Sequence, residues 1–245
     1  MVGTLLMRGM LVGLAAGLLG FAFAEIFGEP QVDLAISFEG AMCLLRGQAP
    51  EPELVSREVQ STIGLLTGVV VYGASFGGLF ALVFAFATGR VGKIGPRGLA
   101  ALLALAGFIA IVLVPDLKYP ANPPSVGNPD TIGIRTEMFF LMIVISVAAM
   151  VAAVILLRRL YGRLGAWNSA LIAGGAFMAA IIVAQLLLPD VNEVPAEFPA
   201  VVLWRFRAAA LGIQLVMWTS LGLLFGWLTE RSLQNRFHFV RPAVR

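Results

Sequence analysis

Apolar and polar positions fall in long blocks along the chain. Apolar runs of roughly 20 residues, the length that crosses the hydrocarbon core of a bilayer, cover approximately 5–27, 61–88, 98–115, 137–157, 168–188 and 208–228. Charge is kept out of their middles, with Glu25 and Glu137 near the ends. The pattern predicts an all-α integral membrane protein with six transmembrane helices.

Composition agrees. Residues are 59% hydrophobic and 13% charged, with mean hydropathy +0.91, which leaves too little polar surface to cover a soluble globule. The formal net charge of +3 says less than its distribution. Arg90, Lys93 and Arg97 stand between the second and third runs, Arg158, Arg159 and Arg163 between the fourth and fifth, and Arg231, Arg236, Arg241 and Arg245 after the sixth. By the positive-inside rule these segments are cytoplasmic, and so are both termini. The rule uses only Lys and Arg, yet of the 14 acids only Glu230 falls on the inner side. An outer face rich in carboxylates concentrates cations by field focusing; mildly acidic outer loops are also ordinary. Nucleic acid is not an implied partner. One membrane domain, 1–230, with a basic cytoplasmic tail, 231–245, is expected. Tyr119, Trp204, Trp167 and Trp227 fall where interfacial aromatic belts form.

Arg8, the apolar stretch after it and Ala22-Phe23-Ala24 resemble a signal peptide with its cleavage site. The run is long enough to span by itself, so a retained first helix is expected. A single cysteine, Cys43, excludes an internal disulfide. With one histidine, His238, the chain cannot build a zinc or haem cage from its own His and Cys. No G-x-x-x-x-G-K-[ST], His-centred triad or H-E-x-x-H is present, so neither a phosphate-binding loop nor a recognisable enzyme centre is expected.

Leu113-Val114-Pro115-Asp116 ends the third run and Leu188-Pro189-Asp190 the fifth, each followed by further prolines and preceded by a Gly-containing basic turn. With Gly28-Glu29-Pro30 as a weaker copy, the chain reads as three parallel helix-hairpin repeats. Gly9, Gly13 and Gly17, then Gly64 and Gly68, Gly73 and Gly77, and Gly222 and Gly226 are spaced for close helix packing. Self-association through the first helix is one use of that face.

Candidate chemistry lies in the outer connectors. Pro30 lacks a backbone donor and disfavours α conformation at Glu29, so the first helix is expected to end near Phe27 or Gly28. A short amphipathic helix would then begin, with Val32, Ala35 and Ile36 on one face and Asp33 and Ser37 on another. Folded back toward the surface, it would let Glu25, Glu29 and Asp33 converge as hard oxygen ligands, with Glu39 further along. Solvated loop carboxylates are the alternative. The stiff stretch Lys118-Tyr119-Pro120-Ala121-Asn122-Pro123-Pro124 offers Asn122, and Asn192-Glu193-Val194-Pro195 offers Glu193. Arg205 or Arg207 is expected to pair with a loop carboxylate. Gln185 and Gln214 read as hydrogen-bonding groups between helices.

Gly28-Glu29-Pro30-Gln31-Val32-Asp33, the 118–124 stretch, and Asn192-Glu193-Val194-Pro195 with Leu203-Trp204-Arg205-Phe206-Arg207 together resemble an actinobacterial member of the CbtA family of predicted cobalt transporter subunits. The likeness runs to about residue 230. It implies a multi-pass protein of the bacterial cytoplasmic membrane that takes up cobalt(2+) for cobalamin synthesis, with no permanently bound cofactor. It also implies a partner of the CbtB type, a small single-span protein with a histidine-rich end. Many members carry histidines in the first outer loop; here Met42-Cys43-Leu44-Leu45-Arg46 through Glu51 has none. Carboxylates alone suit magnesium or manganese, whereas imidazole suits cobalt and nickel, so a histidine-bearing partner would complete the donor set. A non-transporting membrane scaffold or accessory subunit is the competing reading.

Overall fold

The computed structural model describes residues 2–47, 54–92 and 94–239, with 235–239 by backbone alone. Glu51, Glu53, Lys93 and residues 240–245 of the basic tail lie outside the described residues, as do the side chains of Arg236 and His238. The described residues are mostly helical and include five long apolar helices: Val2–Leu45, Arg57–Ala87, Pro96–Lys118, Ile132–Leu187 and Ala200–Gln234. Within them α1 (Val2–Phe23) and α2 (Glu29–Leu45) are joined by a widened π-turn, Ala24–Gly28. A second such turn, Gln60–Gly64, joins α3 (Arg57–Val59) to α4 (Leu65–Ala87), and a third, Phe108–Leu113, joins α5 (Pro96–Gly107) to α6 (Val114–Lys118). α7 is Ile132–Leu187 and α8 is Ala200–Phe239.

The first helix does not stop at Gly28. Glu29 donates its N–H to the carbonyl of Ala24, five residues back. This wider turn displaces the carbonyls that Pro30 would otherwise strike, and the chain passes the proline with helical angles, φ −54° and ψ −40° at Glu29. α2 therefore extends the first helix, where a separate surface helix was expected.

Glycines set the closest packing. A Cβ on Gly9 would strike the carbonyl of Gly77, one on Gly13 that of Gly73, and one on Gly17 would lie 2.9 Å from the oxygen of Val69. The falling register makes α1 and α4 antiparallel, with backbones touching, which only residues without a Cβ permit. Gly68, with nothing within 4 Å, takes no part. The glycine face of α1 is thus occupied within the chain. Gly222 meets Ala104 and Gly226 meets Arg97, so α8 is antiparallel to α5, and contacts of Gly20 with Met217 and Gly212 with Phe23 make it antiparallel to α1 as well. Phe225, fully buried, receives Phe80 and Phe84 edge-on at 5.4 and 5.0 Å between centroids.

These pairings gather Val2, Ala87, Pro96 and the end of α8 at one end of the bundle. Leu45, Arg57, Lys118 and Ala200 gather at the other. α7 begins and finishes at the second end. A straight helix would separate Met142 from Ile181 by ~58 Å, yet both belong to one buried cluster with Val114 and Tyr119. The reversal is explained by Gly165, which breaks the helix with φ 74° and ψ 175°, a left-handed conformation that glycine adopts without steric cost. Described acids then sit at the Arg57 end, while Arg97 pairs with Glu230 at the other.

The aromatic belt needs one correction. Trp204 and Trp167 are exposed as expected, but Tyr119 is 4% exposed. Its hydroxyl donates to the carbonyl of Pro189 at 2.8 Å, joining the ends of α6 and α7.

Candidate functional site

The acidic end of the bundle holds two polar clusters and a cavity. α2 presents Glu29 and Asp33 one turn apart, and α3 begins with Arg57 against them. The Arg57 guanidinium contacts Glu29 and lies 3.0 Å from Asp33 Oδ1. Of the three carboxylates expected to converge, Glu29 and Asp33 share one arginine. Two carboxylates and one guanidinium leave a net charge of −1. Glu25 and Glu39 stand apart from this pair. Glu25 lies in the first π-turn, with Oε1 buried and without a hydrogen-bond partner among the described residues. Glu39 lines a separate cleft with Met42, Cys43 and Glu197. Among the described residues no three His, Cys, Asp or Glu side chains are grouped closely enough to hold a metal ion.

Asn122 and Glu193 form the second cluster. Asn122 Nδ2 donates to Glu193 Oε2 at 3.4 Å, and its Oδ1 accepts from Arg207 at 2.9 Å. Glu193, 2% exposed, also accepts from Thr131 Oγ1 at 2.5 Å and lies 3.1 Å from Arg135 Nη1. The Arg135 contact is an ion pair whose angle does not make a hydrogen bond. The arginine holding a loop carboxylate is thus Arg135, where Arg205 or Arg207 was expected. Arg207 instead donates to Ala121 O at 3.2 Å and to Asn122, while Arg205 is exposed. The contacts of Asn122 and Thr131 with Glu193 tie the 118–131 and 189–199 segments together. Nearby, Lys118 pairs with Asp190, and burial pushes the Tyr119 hydroxyl above the usual tyrosine range.

A cavity of about 510 Å³ opens beneath these loops, between α4, the end of α5–α6, the start of α7, and α8. Pro120, Ala121 and Arg135 stand at its outer part, and Tyr72, Phe76 and Gln214 deeper. Gln214 lies 14 residues past Ala200, which puts this deeper group ~20 Å along α8 from its start. Asp116 faces it and accepts the N–H of Ala121 at 3.2 Å. The cavity passed unnoticed in the sequence because its polar groups come from separate helices. The signals were the Pro115-Asp116 helix end and the amide of Gln214 within an apolar run.

Comparison with protein families gives a match over residues 2–230 to one described as "Probable cobalt transporter subunit (CbtA)". No curated protein and no solved structure matches the chain.

Proposed function

The chain belongs to the CbtA family of probable cobalt transporter subunits, and from that premise we propose that it is the permease subunit through which a divalent transition-metal cation, cobalt(2+) in the first place, enters the cell for cobalamin synthesis. The family match over nearly the whole chain carries this reading. The bundle supports it physically, because the acids collect at one end and a cavity leads inward from there. The family is one of subunits, so a partner is implied. In this reading the partner is a small single-span protein of the CbtB type, whose histidine-rich end supplies the imidazoles that this chain's outer end lacks.

The reversal at Gly165 makes six bilayer crossings of the five long helices, with Arg90, Arg97 and Arg158 on the cytoplasmic side of a bacterial inner membrane together with both termini. Residues 1–230 then form one membrane domain and 231–245 a cytoplasmic tail. Glu29, Asp33 and the other outer carboxylates act as collectors, raising the local cation concentration without forming a tight site.

The test is cobalt accumulation, by elemental analysis, in cells expressing this chain with and without its partner, followed by flux in proteoliposomes of the purified pair. Accumulation that rises with expression supports the reading. Absence of flux in proteoliposomes, with stable co-purification of another membrane protein, would replace it with a scaffold.

A further inference from the structure

The cavity beneath the outer loops holds more than an entry path. Among the described residues Asp116 is the single carboxylate lining it, and the one lining cation, Arg135, is already paired with Glu193. Arg207 acts on Asp116 through space but gives its hydrogen bonds to Ala121 O and Asn122 Oδ1. Opposite, Gln214 on α8 lines the cavity, as does Tyr72 on α4. Its amide oxygen is buried and has no hydrogen-bond partner among the described residues. Three oxygen groups, a carboxylate, an amide carbonyl and a phenol, therefore border one cavity from three helices.

Magnitude decides how a cation would be held there. Six waters at ~30 Å³ each occupy ~180 Å³, well within the cavity's volume of about 510 Å³. A bare ion would need these oxygens drawn to ~2.1 Å around it, and with a single carboxylate it would recover little of its lost hydration. Resting on the transport reading above, we infer that Asp116, Gln214 and Tyr72 form a binding site for a divalent cation that keeps its water shell. Asp116 supplies charge, and Gln214 Oε1 accepts hydrogen bonds from the bound waters. Contact through water senses charge and hydrated size, so this site admits cobalt, nickel and magnesium alike. Selection among them falls to the partner.

The experiment uses the purified full chain in detergent. Cobalt(2+) binding is measured by equilibrium dialysis, with competition by magnesium and by hexaamminecobalt(III), an exchange-inert mimic of a hexahydrated ion. Wild type is expected to bind cobalt competitively with both. Asp116→Asn, which keeps an acceptor for the Ala121 N–H, and Gln214→Leu are each expected to weaken binding at least tenfold while remaining monodisperse. Glu230→Gln, at the opposite end of the bundle and outside the cavity, is expected to bind as wild type does. Asp116→Asn binding within twofold of wild type, failure of hexaamminecobalt(III) to compete, or no binding by wild type would each overturn the site. Cobalt flux without sensitivity to Asp116→Asn would overturn the site and leave the transport reading standing. Binding without flux would do the reverse.

Discussion

Arg135 Nη1 lies 3.1 Å from Glu193 Oε2, joining the first turn of α7 to the loop that follows its last. The pair closes the hairpin made at Gly165. Glu193 is almost fully buried, and Thr131 and Asn122 complete its surroundings. Removing the carboxylate leaves a partly buried guanidinium without its counter-charge. Glu193→Ala is expected to destabilise the protein by about 2 kcal/mol, in the range for an abandoned buried polar partner. It falls short of the ~3–5 kcal/mol of a fully buried pair because Arg135 keeps some access to water. Thermal unfolding in detergent, compared with Asp190→Ala, which removes a carboxylate that is 90% exposed, measures the difference.

Much of this architecture is legible in the sequence because lipid imposes a length and charge rule on every apolar run. The reversal within α7 was readable in the basic stretch Arg158 to Arg163 and the glycines around it. The close pairing of α1 with α4 was only half readable. Gly73 and Gly77 meet α1 whereas Gly68 meets nothing, and sequence spacing cannot say which of several glycine faces a neighbour will choose. The candidate site was less legible. Glu29 and Asp33 come together because they are one turn apart, but Arg57, 24 residues beyond Asp33, bridges them only once α3 is placed. Proline at position 30 was read as a stop because a regular α-helix has no room for it; a π-turn provides that room.

The α1–α4 contact makes a contrast inside one motif. Gly13→Leu would drive a side chain into the backbone of Gly73, and overpacking of this kind costs about 1–3 kcal/mol. Gly68→Leu meets open space and is expected to change stability by less than ~0.5 kcal/mol. The yield of monodisperse protein and its thermal midpoint should fall for the first variant alone.

Tyr119 carries a pH dependence whose sign can be worked out. Burial raises its folded-state pKa above the ordinary tyrosine value of about 10, so the native state favours the neutral phenol. That contribution is fully present below pH ~10 and is lost as pH rises through the folded value, because the unfolded chain releases its proton first. Tyr119→Phe is expected to lower stability at neutral pH by about 1 kcal/mol, for the lost bond to Pro189. It should also flatten the decline above pH ~10. Unfolding midpoints in detergent from pH 8 to 11.5 would show both effects, and an unaltered alkaline slope would assign that decline to other groups.

Arg57 separates stability from cation collection. Its side chain is 26% exposed, that of Asp33 63% and that of Glu29 14%; an exposed pair contributes about 0–1 kcal/mol, and the half-sheltered Glu29 contact puts this one at the upper end. Arg57→Gln should therefore lower stability by about 1 kcal/mol at most. Electrostatically it changes the local charge of the Glu29, Asp33 and residue-57 group from −1 to −2, since one guanidinium no longer offsets two carboxylates. If these carboxylates gather cations at the mouth, Arg57→Gln lowers the cobalt concentration giving half-maximal uptake by about two- to fivefold at low ionic strength. The gain should shrink toward unity at 0.5 M salt, where the Debye length falls below ~5 Å. Uptake measured at two ionic strengths reads both numbers. A half-maximal concentration unmoved by the substitution at low salt would remove Glu29 and Asp33 from the path, leaving the cavity at Asp116 as the first place where the ion meets the protein.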